Sequence, residues 1–478
     1  MSSDIFLKNS ILQSSSFALS ILLNLFSIPL LIAQLGTENY GISAVCIAVN
    51  NVFGLSNLGL GSSLVHHISR YIKVDDYKRY KTLVTSSIIF VLFNSLLIVL
   101  LIKIFKDEFV NILYSGQDRV LFQSCLAITI YSTPFLFLKL VTESVVRAEK
   151  KIWYESVFNF AFSLVFFFST VATIFSDQGV IFFLQVRVIV LAGVSLLYSF
   201  LILKLKALTL KDLRKLEIKS IVKFGLNDIS VQLSNSLIQN APIFFINKFY
   251  GSQFVLILEV PKRILDLLVS FTYRFTSIVF PVIAQLKKSI NEFSHYALVS
   301  FSTIRVLIFL PCFFGINNFL KIYLGVEYDA SMGSMAVSMT CFYFGMSLSQ
   351  TNSLIYNGRN MPHINSYFSA SLALVMIICY AISYYLSADF KYVYLTYLIL
   401  SSIPFIFYIK SSCRILKSSF FEFFPLKIVT LFAFTLLALV PVAFFVANDL
   451  WMISLTALIS LASIFYYFKF QYEKYSYQ

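Results

Sequence analysis

The chain consists of long apolar runs parted by short polar connections. An α-helix rises 1.5 Å per residue, so roughly 18 to 25 apolar residues cross about 30 Å of hydrocarbon. Reading for runs of that length predicts about fourteen spans, at 11–33, 41–66, 82–102, 120–140, 153–175, 180–203, 221–247, 253–283, 297–318, 332–356, 364–386, 392–409, 426–447 and 450–468. The implied fold class is an all-α polytopic membrane protein with little mass outside the bilayer. The first run is longer than the apolar region of a signal peptide, and Gln34-Leu35-Gly36-Thr37-Glu38 after it offers no cleavage pattern, so it reads as a retained helix.

Polar residues inside these runs are not scattered. A helix turns about 100° per residue, and on the eighth span Glu259, Arg263, Asp266, Ser270, Arg274 and Ser277 share one face. Asp228, Gln232, Asn235 and Gln239 do so on the seventh. Milder stripes run through Gln13, Ser16, Ser20, Asn24 and Ser27 on the first span and Asn50, Gly54, Asn57 and Gly61 on the second.

Those four spans are related by an internal repeat. Pro29-Leu30-Leu31-Ile32-Ala33-Gln34-Leu35-Gly36 resembles the stretch from Pro242 to Gly251, with the glycines 215 positions apart (251 − 36). Thr142-Glu143-Ser144-Val145-Val146 matches Thr351-Asn352-Ser353-Leu354-Ile355 at an offset of 209 (351 − 142). Two matches in one order at nearly one offset predict two six-helix halves in parallel orientation, 1–215 and 216–415, followed by two further helices in 416–478. The four stripes then belong to the paired first hairpins of the halves and predict one shared hydrophilic cavity, as in transporters built from repeats.

Composition supports the membrane reading. Hydrophobic residues make up 58% and charged residues 13%, against about 25% charged in soluble domains, and the mean hydropathy is +0.82. The net charge of +14 would suit a nucleic-acid partner, but its distribution excludes that reading. With the N-terminus inside, the inside connections hold 25 Lys and Arg and the outside ones 6. Basic loops stay cytoplasmic and meet anionic headgroups. The bias predicts an even number of spans with both termini cytoplasmic. Five cysteines fall in predicted helices and Cys413 in an inside connection, so neither a disulfide nor a metal site is expected.

Nothing in the sequence forms a catalytic set. Metal-ligand spacings and a phosphate-binding Gly-rich loop are lacking, no cofactor is implied, and His66, His67, His295 and His363 read as interfacial. Without a soluble ATP-binding domain, any work draws on an ion gradient, the membrane potential or the substrate's own gradient. The informative residues are charges at membrane depth, each costing at least about 2.5–3.5 kcal/mol to insert. Arg263 is expected near mid-bilayer. Pairing with Glu259 or Asp266 along its own helix would neutralise it, and a cationic cavity site is the other reading. Arg187 and Arg305 carry the same two readings, and Lys139 is expected to snorkel.

Ile28-Pro29-Leu30 through Gly41, then Asn57-Leu58-Gly59-Leu60-Gly61-Ser62-Ser63, resemble the opening hairpin of Wzx-type bacterial polysaccharide flippases, of the multidrug, oligosaccharidyl-lipid and polysaccharide exporter superfamily. Tyr356-Asn357-Gly358-Arg359-Asn360 resembles the matching element of the second half. Where the family often has Asp, this chain has Asn57, which removes the ground for a cation site there. The resemblance implies transfer of an undecaprenyl-diphosphate-linked oligosaccharide, such as an O-antigen unit, from the inner to the outer leaflet of the bacterial cytoplasmic membrane by alternating access. Partners would be that lipid, membrane lipids and other polysaccharide-assembly proteins.

Under that reading Arg263 and Arg274 would hold the diphosphate through charge-assisted bonds, with Arg187 and Arg305 as further cationic sites. Asn24, Asn57, Gln232, Asn235, Gln239 and Ser270 would line the path for sugar hydroxyls, and Asp228, Glu259 and Asp266 are candidates for coupling to protons or sodium. Two other classes stay open. A cation-coupled multidrug exporter would favour an acidic cavity. A membrane-embedded polysaccharide polymerase or ligase would favour a large outside loop, and the longest outside connection, around 103–119, is short.

Overall fold

A glycine sets the shape of the first element. In a computed structural model, which describes residues 3–416 apart from 55–59, 115, 117, 150, 174–178, 205–217, 277–289, 360 and 386–389, α1 runs Ser3–Phe53 and breaks sharply at Gly36 (φ 75°, ψ 168°). A side chain makes that positive φ costly, and glycine adopts it freely. The first two predicted spans are therefore joined without a loop. After them come α2 (Leu60–Lys73), α3 (Tyr77–Ile104), α4 (Lys106–Leu113), α5 (Arg119–Ile130), α6 (Thr133–Ala148), α7 (Ile152–Thr173), α8 (Gly179–Lys204), α9 (Ile218–Phe249), α10 (Ser252–Thr276), α11 (Ile290–Leu324), α12 (Ala330–Gly358), α13 (Pro362–Tyr385) and α14 (Lys391–Leu416).

Among the described residues, eight helical stretches are long and apolar enough to cross a membrane. The chain is an all-helical multi-pass protein. The expected spans at 426–447 and 450–468 lie outside the described residues, as do most of the boundary region near 215 and the end of the eighth span.

Several predicted boundaries are corrected. The fourth span is two helices, because the chain turns at Tyr131 and Ser132 before Pro134 enters the first turn of α6, where its missing N–H is no loss. Arg147, expected in a connection, consequently sits on a helix. Cys413 and His295, expected in connections, lie within α14 and α11. Prolines inside helices, among them Pro29, Pro242, Pro261, Pro311 and Pro404, each remove one backbone donor, which helices packed on neighbours tolerate in membranes. Helix starts follow local chemistry. The Asp76 carboxylate accepts from the Arg79 backbone N–H at 3.1 Å to open α3, and Asp329 accepts from Ser331 N–H at 2.6 Å to open α12.

The chain divides into two compact units, residues 1–256 and 257–478. In the first, α1 packs on α7, and α6 on α2, α3 and α8. Asn50, part of the predicted stripe on the second span, is buried and fully engaged: its Nδ2 donates to Ser132 Oγ at 2.6 Å and its Oδ1 accepts from Thr133 at 2.8 Å. It fixes α1 to the α5–α6 break. In the second unit α11, α12 and α14 enclose an apolar core around Leu298, Leu348, Ile355 and Tyr408. There α13 leans on α14 with Phe368 stacked on Phe407 at 4.0 Å.

Two kinds of contact recur in both units. Thr142 on α6 meets Ser199 on α8 at 2.8 Å, and Asn352 on α12 bonds Ser411 and Ser412 on α14; the offsets are 210 (352 − 142) and 212 (411 − 199). Tyr80 near the start of α3 donates to Glu149, the C-cap of α6, at 2.9 Å. Arg359, the C-cap of α12, donates to Ser294 near the start of α11 at 3.1 Å.

Candidate functional site

The charged stripe of α10 exists as a cluster, and its centre is a residue that the sequence reading passed over. Lys262 Nζ lies 3.2 Å from Asp266 Oδ2 and 3.9 Å from Glu259 Oε2. On the other side of Glu259, Arg263 Nε donates to Oε1 at 2.9 Å. From α12, the Tyr343 hydroxyl hydrogen-bonds Asp266. Two cations and two carboxylates thus balance within two turns. The cluster has an inner and an outer edge: the Glu259 and Lys262 side chains are 8% and 11% exposed, those of Arg263 and Asp266 32% and 31%. One oxygen, Glu259 Oε2, is buried without a hydrogen-bond partner among the described residues.

Arg263 therefore does form the neutralising pair along its own helix that the spacing allowed, while keeping an exposed edge. Ser270, about one turn past Asp266 on α10, is exposed. Arg274, expected to share the anion with Arg263, has a side chain outside the described residues, and so does Asp228.

Arg305, on α11, is the largest fully buried side chain among the described residues, 0% exposed. Its guanidinium donates to Thr276 Oγ1 of α10 at 3.1 Å and to Thr351 Oγ1 of α12. Among the described residues no carboxylate pairs with it, and its Nε finds no acceptor. Hydroxyls orient a guanidinium but do not neutralise it, and a buried charge without a counter-ion costs several kcal/mol, roughly. Beside it Ser302 and Tyr408 hydroxyls meet at 2.7 Å.

The other predicted residues are dispersed. Arg187, on α8, is half-buried with its guanidinium 5.1 Å from the Phe166 ring centroid, a cation–π contact. Asn24 is exposed, and its Nδ2 donates to Ser20 O of its own helix at 2.7 Å. Asn235 and Gln239 are exposed on α9 and Gln232 is half-buried. Asn57 lies outside the described residues. Lys139 does more than snorkel: it pairs with Glu143 at 3.6 Å and lies over Phe162. Arg147 grips Glu155 with two bonds of 2.8 and 2.6 Å. Arg359, at the end of α12, has its guanidinium pushed down from the ordinary arginine range by burial.

Helices of this kind define a class, the multi-pass helical membrane proteins, and known proteins narrow its fold. Residues 10–171 match the MatE family model. The "Putative O-antigen transporter" of Shigella flexneri is 27% identical over 146 residues, 30% of this chain and 34% of that protein, so the match spans about a third of the relative's length. A structure described as lipid II flippase MurJ in an inward closed conformation superposes with a TM-score of 0.78 at 18% identity, covering 97% of this chain and 99% of the other. An inward-facing multidrug resistance MATE family transporter of the MOP superfamily gives 0.71 at 16% identity, covering 86% and 99%. The fold is that of MurJ and the MATE transporters, and the MatE match covers the first part of the chain.

Proposed function

We propose that this transporter flips an undecaprenyl-diphosphate-linked oligosaccharide, of the O-antigen or a similar polysaccharide repeat unit, from the inner to the outer leaflet of the bacterial cytoplasmic membrane by alternating access. The observation that carries the reading is Arg305: a fully buried guanidinium with no carboxylate among the described residues. A helix interior that retains such a charge has a use for it, and an anionic headgroup is the ligand that would neutralise it. Arg263 supplies a second cation with an exposed edge, and Arg187 a third. Arg274 is assigned to the same diphosphate by its place on the α10 stripe. Asn24, Gln232, Asn235, Gln239 and Ser270, with Asn57, offer amides and hydroxyls to sugars. The whole-length likeness to a structure described as a lipid II flippase supports a lipid-linked cargo, and so does the Shigella flexneri relative's name.

The fold shared with MurJ and MATE transporters disfavours the polymerase or ligase reading. A multidrug exporter remains the second reading, since the fold is shared with MATE transporters; a buried, uncompensated arginine disfavours a cationic cargo. Purified protein reconstituted in liposomes with a fluorescent undecaprenyl-diphosphate oligosaccharide is expected to expose the lipid to a membrane-impermeant probe on both faces. Exchange no faster than in protein-free liposomes, or exchange untouched by reversing both Arg263 and Arg274, overturns the assignment.

A further inference from the structure

The α10 cluster contains its own substitute for the cargo's charge. We propose that Glu259 is a built-in competitor for the anion site: it holds Arg263 when the transporter is empty, yields it to the diphosphate, and takes a proton on Oε2 as it does so. This inference rests on the assignment of Arg263 to the diphosphate.

Three observations support it. First, the four charges of Glu259, Lys262, Arg263 and Asp266 already cancel. An added dianion leaves the cluster in negative excess inside a low-dielectric interior, where excess charge is removed by protonating a carboxylate. Second, the geometry selects which carboxylate. Asp266 has Lys262 at 3.2 Å and the Tyr343 hydroxyl as donors, and it sits on the more exposed edge. Glu259 is the more buried of the two, and Arg263 is its one hydrogen-bond donor within 3 Å. Withdrawing Arg263 leaves Glu259 facing Lys262 at 3.9 Å, with Tyr343 of α12 and Tyr397 of α14 as the further titratable groups around it. Third, Oε2 is buried and accepts no hydrogen bond among the described residues, so a proton there displaces no donor.

The same surroundings choose the proton over sodium. A sodium ion needs several oxygen ligands and would lie beside two cations, whereas a proton needs only the one free oxygen. An empty carrier with Arg263 self-paired can also change conformation without carrying a naked guanidinium through the bilayer, which is the expensive form.

The test is binding of inorganic diphosphate to the full-length protein in lipid nanodiscs. Wild-type affinity should rise several-fold between about pH 8 and about pH 5.5, against the trend that protonation of the probe itself would give. Glu259→Gln should bind roughly tenfold more tightly at the higher pH and lose the pH dependence. Arg263→Gln should lose most binding at every pH. If Arg263→Gln binds like wild type, or no form binds, the diphosphate assignment of Arg263 fails and this inference with it. If Arg263→Gln loses binding while wild-type affinity stays flat or falls with acid, only the competitor role of Glu259 is overturned, and that wild-type titration decides the matter even where Glu259→Gln does not fold.

Discussion

Arg305 separates a structural residue from a functional one by the sign of a single substitution. A buried guanidinium held only by Thr276 and Thr351 hydroxyls pays desolvation that no carboxylate among the described residues repays. Arg305→Met keeps most of the volume and removes the charge, so it is expected to raise the thermal unfolding temperature of the purified protein, corresponding to about 1 kcal/mol or more. The same variant should flip lipid at least about tenfold more slowly. A fall in melting temperature with flipping intact would instead mark Arg305 as a packing residue. The sequence made Arg305 visible as a charge in an apolar run, yet its partners come from α10 and α12 and follow from no spacing along the chain. Lys262 was missed for a different reason. It lies about 60° around the helix from Glu259, just off the stripe, and its long flexible stem reaches both carboxylates from there.

Elements were more legible than residues, because each span is written in one continuous stretch while its partners are not. The repeat proposed from short strings gains support from the backbone: Gly36 and Gly251 both hold positive φ, 75° and 102°. The contacts of Thr142 with Ser199 and, one position along from the aligned Thr351, of Asn352 with Ser411 add to that support for two repeated six-helix halves. The sequence could not show which glycine of α1 a neighbouring backbone approaches. Gly41 is that glycine, since a Cβ there would clash with the Ser252 carbonyl. That backbone cannot yield as a flexible side chain does. Gly41→Ala is expected to cost about 1–3 kcal/mol and to lower the melting temperature of detergent-purified protein, whereas Gly54→Ala, which meets nothing within 4 Å, should leave it almost unchanged. Equal melting temperatures would show that α1 and the start of α10 are not so closely apposed. At the C-caps, Tyr80→Phe and Arg359→Gln each remove a bond between the third and fourth spans of a half. A double-mutant cycle on Tyr80 and Glu149 should return a coupling of about 1 kcal/mol.

For the whole molecule the open question is which helices cross the bilayer. Eight stretches qualify on apolarity, while the chain's charge bias asks for more, and α12 is the instructive case. It is not among the eight, because Ser347, Ser349, Thr351 and Asn352 dilute it, yet all four are buried. Their bonds run to the Gly345 and Pro404 carbonyls, to Arg305 and to α14, so the polar face never meets lipid and low apolarity is no bar to crossing. The positive-inside bias then places Val74 and Met361 in cytoplasmic connections and Glu108 and Val326 outside. In a background with the six native cysteines replaced, a membrane-impermeant thiol reagent added to intact cells should label Glu108→Cys and Val326→Cys, and should reach Val74→Cys and Met361→Cys only after the cells are opened. Val326→Cys and Met361→Cys labelling from the same side would mean that α12 does not cross. The two-half organisation would fall with it, because α12 is the helix that carries the second copy of the repeat.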